Sequence, residues 1–273
     1  MSDAIIRFLE RPTLNGPRLE QGQKIAFLIE AAHAPAAWTV LMQQGAQYSV
    51  DRLWFGTPFQ AHMAQGPSWF LVNTVCIDGL AQVCHQRPAG MALTCTDPPQ
   101  ALAHARTLLS MIPTNVLSIH DPAIWAALAM ENTRQHACLF GPWSEVYTPV
   151  PGVNPASRQW HVWKAETPAT GPCEYPLVFP DTLYSTYKDI RWLHWLRQNP
   201  QHFAQVPDNE LPRAVSNLNF FVKHGIGIDR DLLQLSALIT HGDVREREDL
   251  LPILTSRERP QRRVEQLLQG LQP

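Results

Sequence analysis

The chain has 273 residues, 45% of them hydrophobic and only 17% charged, with a formal net charge of −2 and a pI near 6.6. That length admits one large core or two lobes, and so little charge describes a globular chain with a surface less charged than average. Without a basic excess to neutralise phosphates, nucleic acid is a poor partner, and nothing in the composition favours a membrane surface.

Taken in chain order, residues 17–33 place Leu19, Ile25, Leu28 and Ile29 at spacings that suit a short amphipathic helix. Trp38 to Met42 reads as a first strand. Trp54-Phe55 ends another apolar run, and Gly56-Thr57-Pro58 turns into a brief helix, with Thr57 as N-cap and Pro58 in its first turn. Gly66-Pro67 stops that helix before a strand of aromatic and β-branched residues from Trp69 to Val75. Met91 to Thr96 follows as a strand, and Asp97-Pro98 opens a helix to Leu109 that buries positions 101, 102, 105, 108 and 109.

The same logic recurs further on. Val116 to Ile119 reads as a strand, and Asp121-Pro122 as the cap and first turn of a helix to about residue 131 that buries Ile124, Trp125 and Leu128. Cys138–Phe140 and Ser144–Tyr147 read as one strand broken at Gly141-Pro142, with Gln159–Ala165 as its antiparallel partner. Beyond Pro180 four helices are expected, Asp181–Gln198, Ala214–His224, Arg230–His241 and Arg262–Leu271, with Asp181 and Asp229 as caps. The fold class is therefore α+β: a mixed α/β sheet lobe over residues 1–178 and an all-helical lobe over 179–273.

Candidates for chemistry are few. Cys76, Cys84, Cys95, Cys138 and Cys173 are odd in number and include no C-x-x-C pair, so reduced, mostly buried thiols are expected. The 11 histidines show no zinc-binding spacing, and no cofactor, metal or small-molecule substrate is expected. His120-Asp121 could pair an imidazole with a carboxylate, but capping already accounts for Asp121. Cys84-His85, with His104 and His120, could form a nucleophile and base, though no known signature surrounds Cys84. Gly225-Ile226-Gly227 lacks the third glycine of a phosphate loop and reads as a helix stop. Arg257, Arg259, Arg262 and Arg263 read as a solvated face balanced by acidic neighbours. The start, MSDAIIRFLERP, has no export-signal pattern, and no stretch reaches the ~18 apolar residues of a spanning helix, so a cytoplasmic protein is expected.

The helix from 181 to 198 stands apart, because Leu183, Tyr184, Tyr187, Ile190, Trp192, Leu193, Trp195 and Leu196 cover more than one of its faces. Aromatic residues beyond what one core needs point to a partner surface, with Tyr184, Tyr187, Trp192 and Trp195 as its candidate residues.

Several segments together carry a resemblance: Trp38-Thr39-Val40-Leu41 as an opening strand, LWFGTP from Leu53, GPSWFLV from Gly66, IHDPAIW from Ile119 and LFGPW from Leu139. In this order they resemble the type VI secretion effector-loading adaptor/chaperones, the domain of unknown function 4123 family. The tail from Phe220, FVKHGIGIDRDLLQL, is similar to tails that follow that domain. The resemblance implies a cytoplasmic, non-enzymatic protein that binds a toxic effector and helps load it onto the VgrG spike, with no catalytic residues to carry over. Two positions depart from the family pattern: Ser118 stands where relatives commonly have arginine, and Gln44-Gly45 where they often have Asp-Gly or Asp-Ala. A cytosolic hydrolase built on Cys84 or His120 is the alternative.

Overall fold

A computed structural model describes residues 3–45, 47–86, 89–110, 117–132, 135–152, 158–165, 173 and 175–270. The chain divides into two compact units: Arg11–Tyr187 in one, and Met1–Glu10 with Lys188–Pro273 in the other. The division thus falls inside a helix, and the opening helix α1 (Asp3–Leu9) counts with the C-terminal unit.

The first unit is built on a seven-stranded sheet of β1 (Thr13–Leu14), β2 (Lys24–Ile29), β3 (Tyr48–Arg52), β4 (Ser68–Val72), β5 (Gly90–Cys95), β6 (Trp143–Pro149) and β7 (Trp160–Trp163). Their spatial order is β1-β7-β6-β5-β2-β4-β3, and every pair is antiparallel, which makes the architecture α+β. Around the sheet lie α2 (Ala34–Gln44), α3 (Ile77–Gln86), α4 (Pro98–Leu109), α5 (Pro122–Glu131) and α6 (His136–Phe140).

Strand β2 organises this unit. From Ile25 to Ile29 it is fully buried, and its neighbour β5 is buried along its whole length, so neither strand turns a face to water. Side chains alternate across a sheet, and Ile25, Phe27 and Ile29 pack on one face with Ala34, Ala37 and Leu41 of α2 and Leu80 and Cys84 of α3. Across the unit's other large cluster, Trp125 of α5 meets Trp143 and Phe140 at ring distances of 5.3 and 5.5 Å, and the Trp143 indole N–H donates to the Ala101 carbonyl of α4 (3.1 Å).

Two neighbouring segments exchange the roles expected for them. Residues 24–29 form a strand and not a helix, because a short apolar run buried on both faces carries no periodicity that distinguishes the two. Trp38–Met42 is helical, although its residue types favour a strand: Pro35 starts α2, Ala34, Ala37 and Leu41 line one face, and Gly45 at φ +56° stops it. Cys138–Phe140 also belongs to a helix, α6, and Gly141 at φ +53° separates it from β6. The strand expected at 69–75 ends at Val72. Residues 117–120 are irregular, and Val116 lies outside the described residues.

Caps sort into two groups. Asp97 and Asp121 accept from the backbone N–H of Gln100 (3.0 Å) and Ala123 (2.8 Å) at the starts of α4 and α5, as Asp-Pro implies. Thr57 caps no helix. Its hydroxyl donates to the Trp54 carbonyl (2.7 Å) and accepts from Phe59 N–H (3.2 Å), which closes a turn, and the short 3-10 helix Gln60–Gln65 begins after Phe59 without a side-chain cap.

The second unit holds α1, α7 (Thr182–Gln198) from Lys188 onward, α8 (Pro200–Phe203), α9 (Leu211–Lys223), α10 (Asp229–Gln234), α11 (Ser236–Thr240), α12 (Leu251–Leu254) and α13 (Pro260–Gln269). The expected helix 230–241 is divided at Leu235, and Asp229 is a helical residue, not a cap, since Ile228 precedes the helix. Leu271 is outside the described residues. Gly225, at φ +79°, ends α9 as the sequence implied.

Two buried polar residues hold these short helices in place. Asn217, fully buried, donates to the carbonyls of Ile239 (3.0 Å) and Gly242 (2.9 Å) and accepts from Val244 N–H (3.1 Å), so it satisfies a turn that would otherwise be orphaned. Arg263 is buried, unlike its exposed neighbours Arg257, Arg259 and Arg262, and donates to the carbonyls of His224 and Leu254, each at 2.6 Å.

The close approach of β2 and β5 gives a direct test. A Cβ on Gly90 would fall on the Leu28 carbonyl, a backbone atom that cannot swing away, whereas Gly16 has open space around it. Gly90→Ala is expected to destabilise the chain by about 2 kcal/mol or more, and Gly16→Ala to leave melting nearly unchanged. Equal melting temperatures for the two variants would refute this account of the packing.

Candidate functional site

The residues singled out on α7 separate into two pairs. Tyr184 and Tyr187 fall in the first unit, with ring centroids 6.5 Å apart. Trp192 and Trp195 fall in the second, where their rings meet edge-on at 5.7 Å and Trp195 packs on Phe203 at 5.4 Å. Their exposures differ sharply: Tyr184 is 72% exposed, Trp192 only 9%. Trp192 is thus packed within the helical unit and Trp195 partly so, while Tyr184 holds most of its side chain in solvent.

Tyr184 lies on a segment, residues 175–187, that together with Cys173 is tied to α4, α5 and α6 at four places. Glu131, the last residue of α5, accepts from the hydroxyls of Thr182 (2.5 Å) and Thr186 (3.0 Å). The Gln135 side-chain oxygen accepts from Val178 N–H at 2.8 Å. Cys138 of α6 is bonded to Cys173, with Cα atoms 5.4 Å apart. His104 Nε2 donates to the Leu139 carbonyl (3.0 Å), which leaves Nδ1 to accept from the Tyr175 hydroxyl at 3.4 Å. From this anchored strap Tyr175, Val178 and Tyr184 project into solvent, 44%, 76% and 72% exposed.

Such an arrangement orders a chain segment that buries Leu177 but leaves Tyr175, Val178 and Tyr184 outside. Ordering a segment costs conformational entropy, here offset by polar ties and a covalent link. The side chains left outside form a pre-ordered apolar and aromatic surface, the kind of feature that makes an interface anchor. The sequence singled out Tyr184 but not Tyr175, Val178 or their anchors. The disulfide corrects the expectation that all five cysteines are reduced; Cys76, Cys84 and Cys95 are free and buried, as expected.

Of the residues considered for catalysis, His104 is an anchor of the strap, and Cys84, His120 and Asp121 have the following environments. Cys84 is fully buried, and burial pushes its thiol well above the ordinary range, away from the reactive thiolate. His120 Nδ1 is enclosed without a hydrogen-bond partner among the described residues, and desolvation lowers the ring to about 4. Asp121 is committed to its cap. Cys95 is pushed up to about 11 by burial and by the nearby Asp97 carboxylate. Among the described residues no group of three or more His, Cys, Asp or Glu side chains is placed to hold a metal, and no helix is long and apolar enough to cross a membrane.

Comparison with family models, with curated proteins and with solved structures gives no match.

Two predictions follow from these environments. The Cys138–Cys173 bond closes a loop across 35 positions, and cross-linking a loop of that length restricts the unfolded chain by roughly 3–4 kcal/mol. Reduction, or Cys138→Ser with Cys173→Ser, is expected to shift urea denaturation accordingly; superimposable curves would rule out the bond's contribution. His85, His120 and His161 are each lowered from 6.5 to about 4, with burial as the leading cause. Between those values the unfolded chain binds more protons than the folded one, so stability is full above about 6.5 and falls as pH drops toward 4. His120→Gln is expected to move the acid transition to lower pH, and an unmoved transition would remove His120 from that account.

Proposed function

We propose that the chain is a non-enzymatic adaptor and chaperone of the cytoplasm, which binds a type VI secretion effector and helps load it onto the VgrG spike. The observation that carries this reading is the strap: Tyr175, Val178 and Tyr184 are held outward by ties to α4, α5 and α6, and a fixed apolar surface is what protein recognition needs. The motifs that resemble the adaptor family add to it. LWFGTP forms the turn after β3, GPSWFLV runs into β4, IHDPAIW opens α5 and LFGPW joins α6 to β6, all within the unit that carries the strap. One member of that set counts against the resemblance, since Trp38–Leu41 lies in helix α2 where an opening strand was expected.

The alternative, a cytosolic hydrolase using Cys84 or His120, has less behind it. Its nucleophile would be a thiol held protonated by burial, and its base an imidazole with Nδ1 enclosed and unpartnered among the described residues.

Co-purification with the proteins encoded beside it tests the reading directly: a spike protein and a toxin are expected, and their absence under gentle conditions would overturn it. Within that assay Tyr184→Ala is expected to weaken partner binding about tenfold or more with an unchanged melting temperature, whereas Trp192→Ala should lower the melting temperature first. The cytoplasmic location carries its own test, because disulfides seldom persist there. Trapping of free thiols in intact cells distinguishes a bonded Cys138–Cys173 from a reduced pair, and a permanently bonded pair would argue for a more oxidising compartment.

A further inference from the structure

The strap is tied unevenly along its length. Its later half is held by side chains that thiol chemistry does not touch: Glu131 accepts from Thr182 and Thr186, and Tyr184 lies between those two threonines. The middle is fixed by buried Leu177 and by Val178, whose N–H donates to Gln135 (2.8 Å). The end that carries Cys173 and Tyr175 has the bond to Cys138 and one polar contact, the Tyr175 hydroxyl on His104 Nδ1 at 3.4 Å, which is long for a hydroxyl donor. Ordering a residue costs at least as much as one weak hydrogen bond returns. The covalent bond therefore decides whether this end of the strap is ordered.

Burial sets the bonded pair apart from the other thiols. Cys138 and Cys173 each keep part of their surface in solvent. Cys76, Cys84 and Cys95 are fully buried and unbonded, and burial pushes the Cys84 and Cys95 thiols up, away from the thiolate that takes part in exchange. A thiol arriving from solvent thus meets one disulfide, and no internal thiol is placed to carry the bond elsewhere.

We propose that the Cys138–Cys173 bond is a redox switch for one end of the strap: closed, it holds Tyr175 beside His104 as part of a fixed surface, and opened by a small thiol it releases Tyr175 while Tyr184 stays in place. Opening proceeds by exchange. The thiolate of one small thiol attacks a sulfur of the pair, and the Sγ–Sγ bond breaks to give a mixed disulfide and a thiolate on the chain. A second small thiol attacks the mixed disulfide and frees the other cysteine, and the two protons shed by the small thiols complete the thiols of Cys138 and Cys173. Two electrons have then passed to the chain, and the small thiols leave as their own disulfide. The reverse exchange with that disulfide closes the bond again. A disulfide that opens and closes in this way is the kind compatible with a reducing compartment. The inference rests on the ties of the strap and is independent of the adaptor reading.

Glutathione buffers of varied thiol-to-disulfide ratio test this on the full chain. In reducing buffer, alkylation of the folded chain is expected to label Cys138 and Cys173 and to spare Cys76, Cys84 and Cys95. Backbone relaxation should then show the order parameter of Tyr175 falling below about 0.6 while that of Tyr184 stays near ~0.85, and oxidising buffer should restore Tyr175. Cys138→Ser with Cys173→Ser should give the reduced pattern in either buffer. Tyr175→Phe, which removes the His104 contact and keeps the bond, should leave position 175 ordered. A bond that no ratio opens, or a Tyr175 equally rigid in both buffers, overturns the inference. So does loss of order at Tyr184 together with Tyr175, or a reduced chain that unfolds as a whole, since the bond would then be a staple for the fold and not a switch for the strap.

Discussion

Strands β2 and β5 have no polar side to give to water, and the rest of the first unit follows from that. A strand buried on both faces must be covered on both, so α2 and α3 close one side, and the tryptophan cluster joins α4, α5 and β6 in a second body of core. The approach of the two strands is so close at Gly90 that no side chain fits between them. Because the middle of the sheet is sealed, whatever the unit presents to other molecules must come from its margins: an edge strand, a strap, an exposed turn.

Those margins are stabilised differently from the interior. The strap relies on hydroxyl and amide contacts to Glu131 and Gln135, on the His104–Tyr175 contact and on the covalent bond of Cys138 to Cys173. Of its large side chains Leu177 is buried, while Tyr175, Val178 and Tyr184 are exposed. Strand β3 likewise has one satisfied edge and one open edge, with Val50 partly packed on the core and Ser49 in solvent. At the end of β3 the outward Arg52 carbonyl is taken by Phe55 N–H and Arg106, whereas on the strap Val178 and Tyr184 keep their side chains in solvent.

Legibility from sequence tracked the range of the interactions responsible. The starts of α4 and α5 could be read because an aspartate, a proline and a backbone N–H act within three residues of one another. The stop at Gly225 was legible for the same reason. Strand β2 and helix α2 were misread, since burial on two faces erases the period of one and the fit of Ala34, Ala37 and Leu41 against the sheet overrides the residue preferences of the other. Strand β3 went unread because Tyr-Ser-Val-Asp-Arg lacks an apolar run. Tyr184 was found because α7 carries more apolar residues than one face can hold; its anchors were not, because they join positions 35 to 71 residues apart and leave no local trace. Arg263, read as solvated like the arginines around it, takes buried carbonyls as partners from segments the sequence cannot show to be near.

The bond between Cys138 and Cys173 makes a covalent ring that includes all of β6 and β7. A protease that cut the chain once anywhere inside that ring would therefore release nothing, since both halves would remain parts of one molecule and β6 would still be hydrogen-bonded to β5. Loss of mass would require two events, cleavage and reduction, in either order. For a protein whose exposed strap hangs from one end of that ring, the redox state of its surroundings would decide whether a nick is a silent scar or a separation.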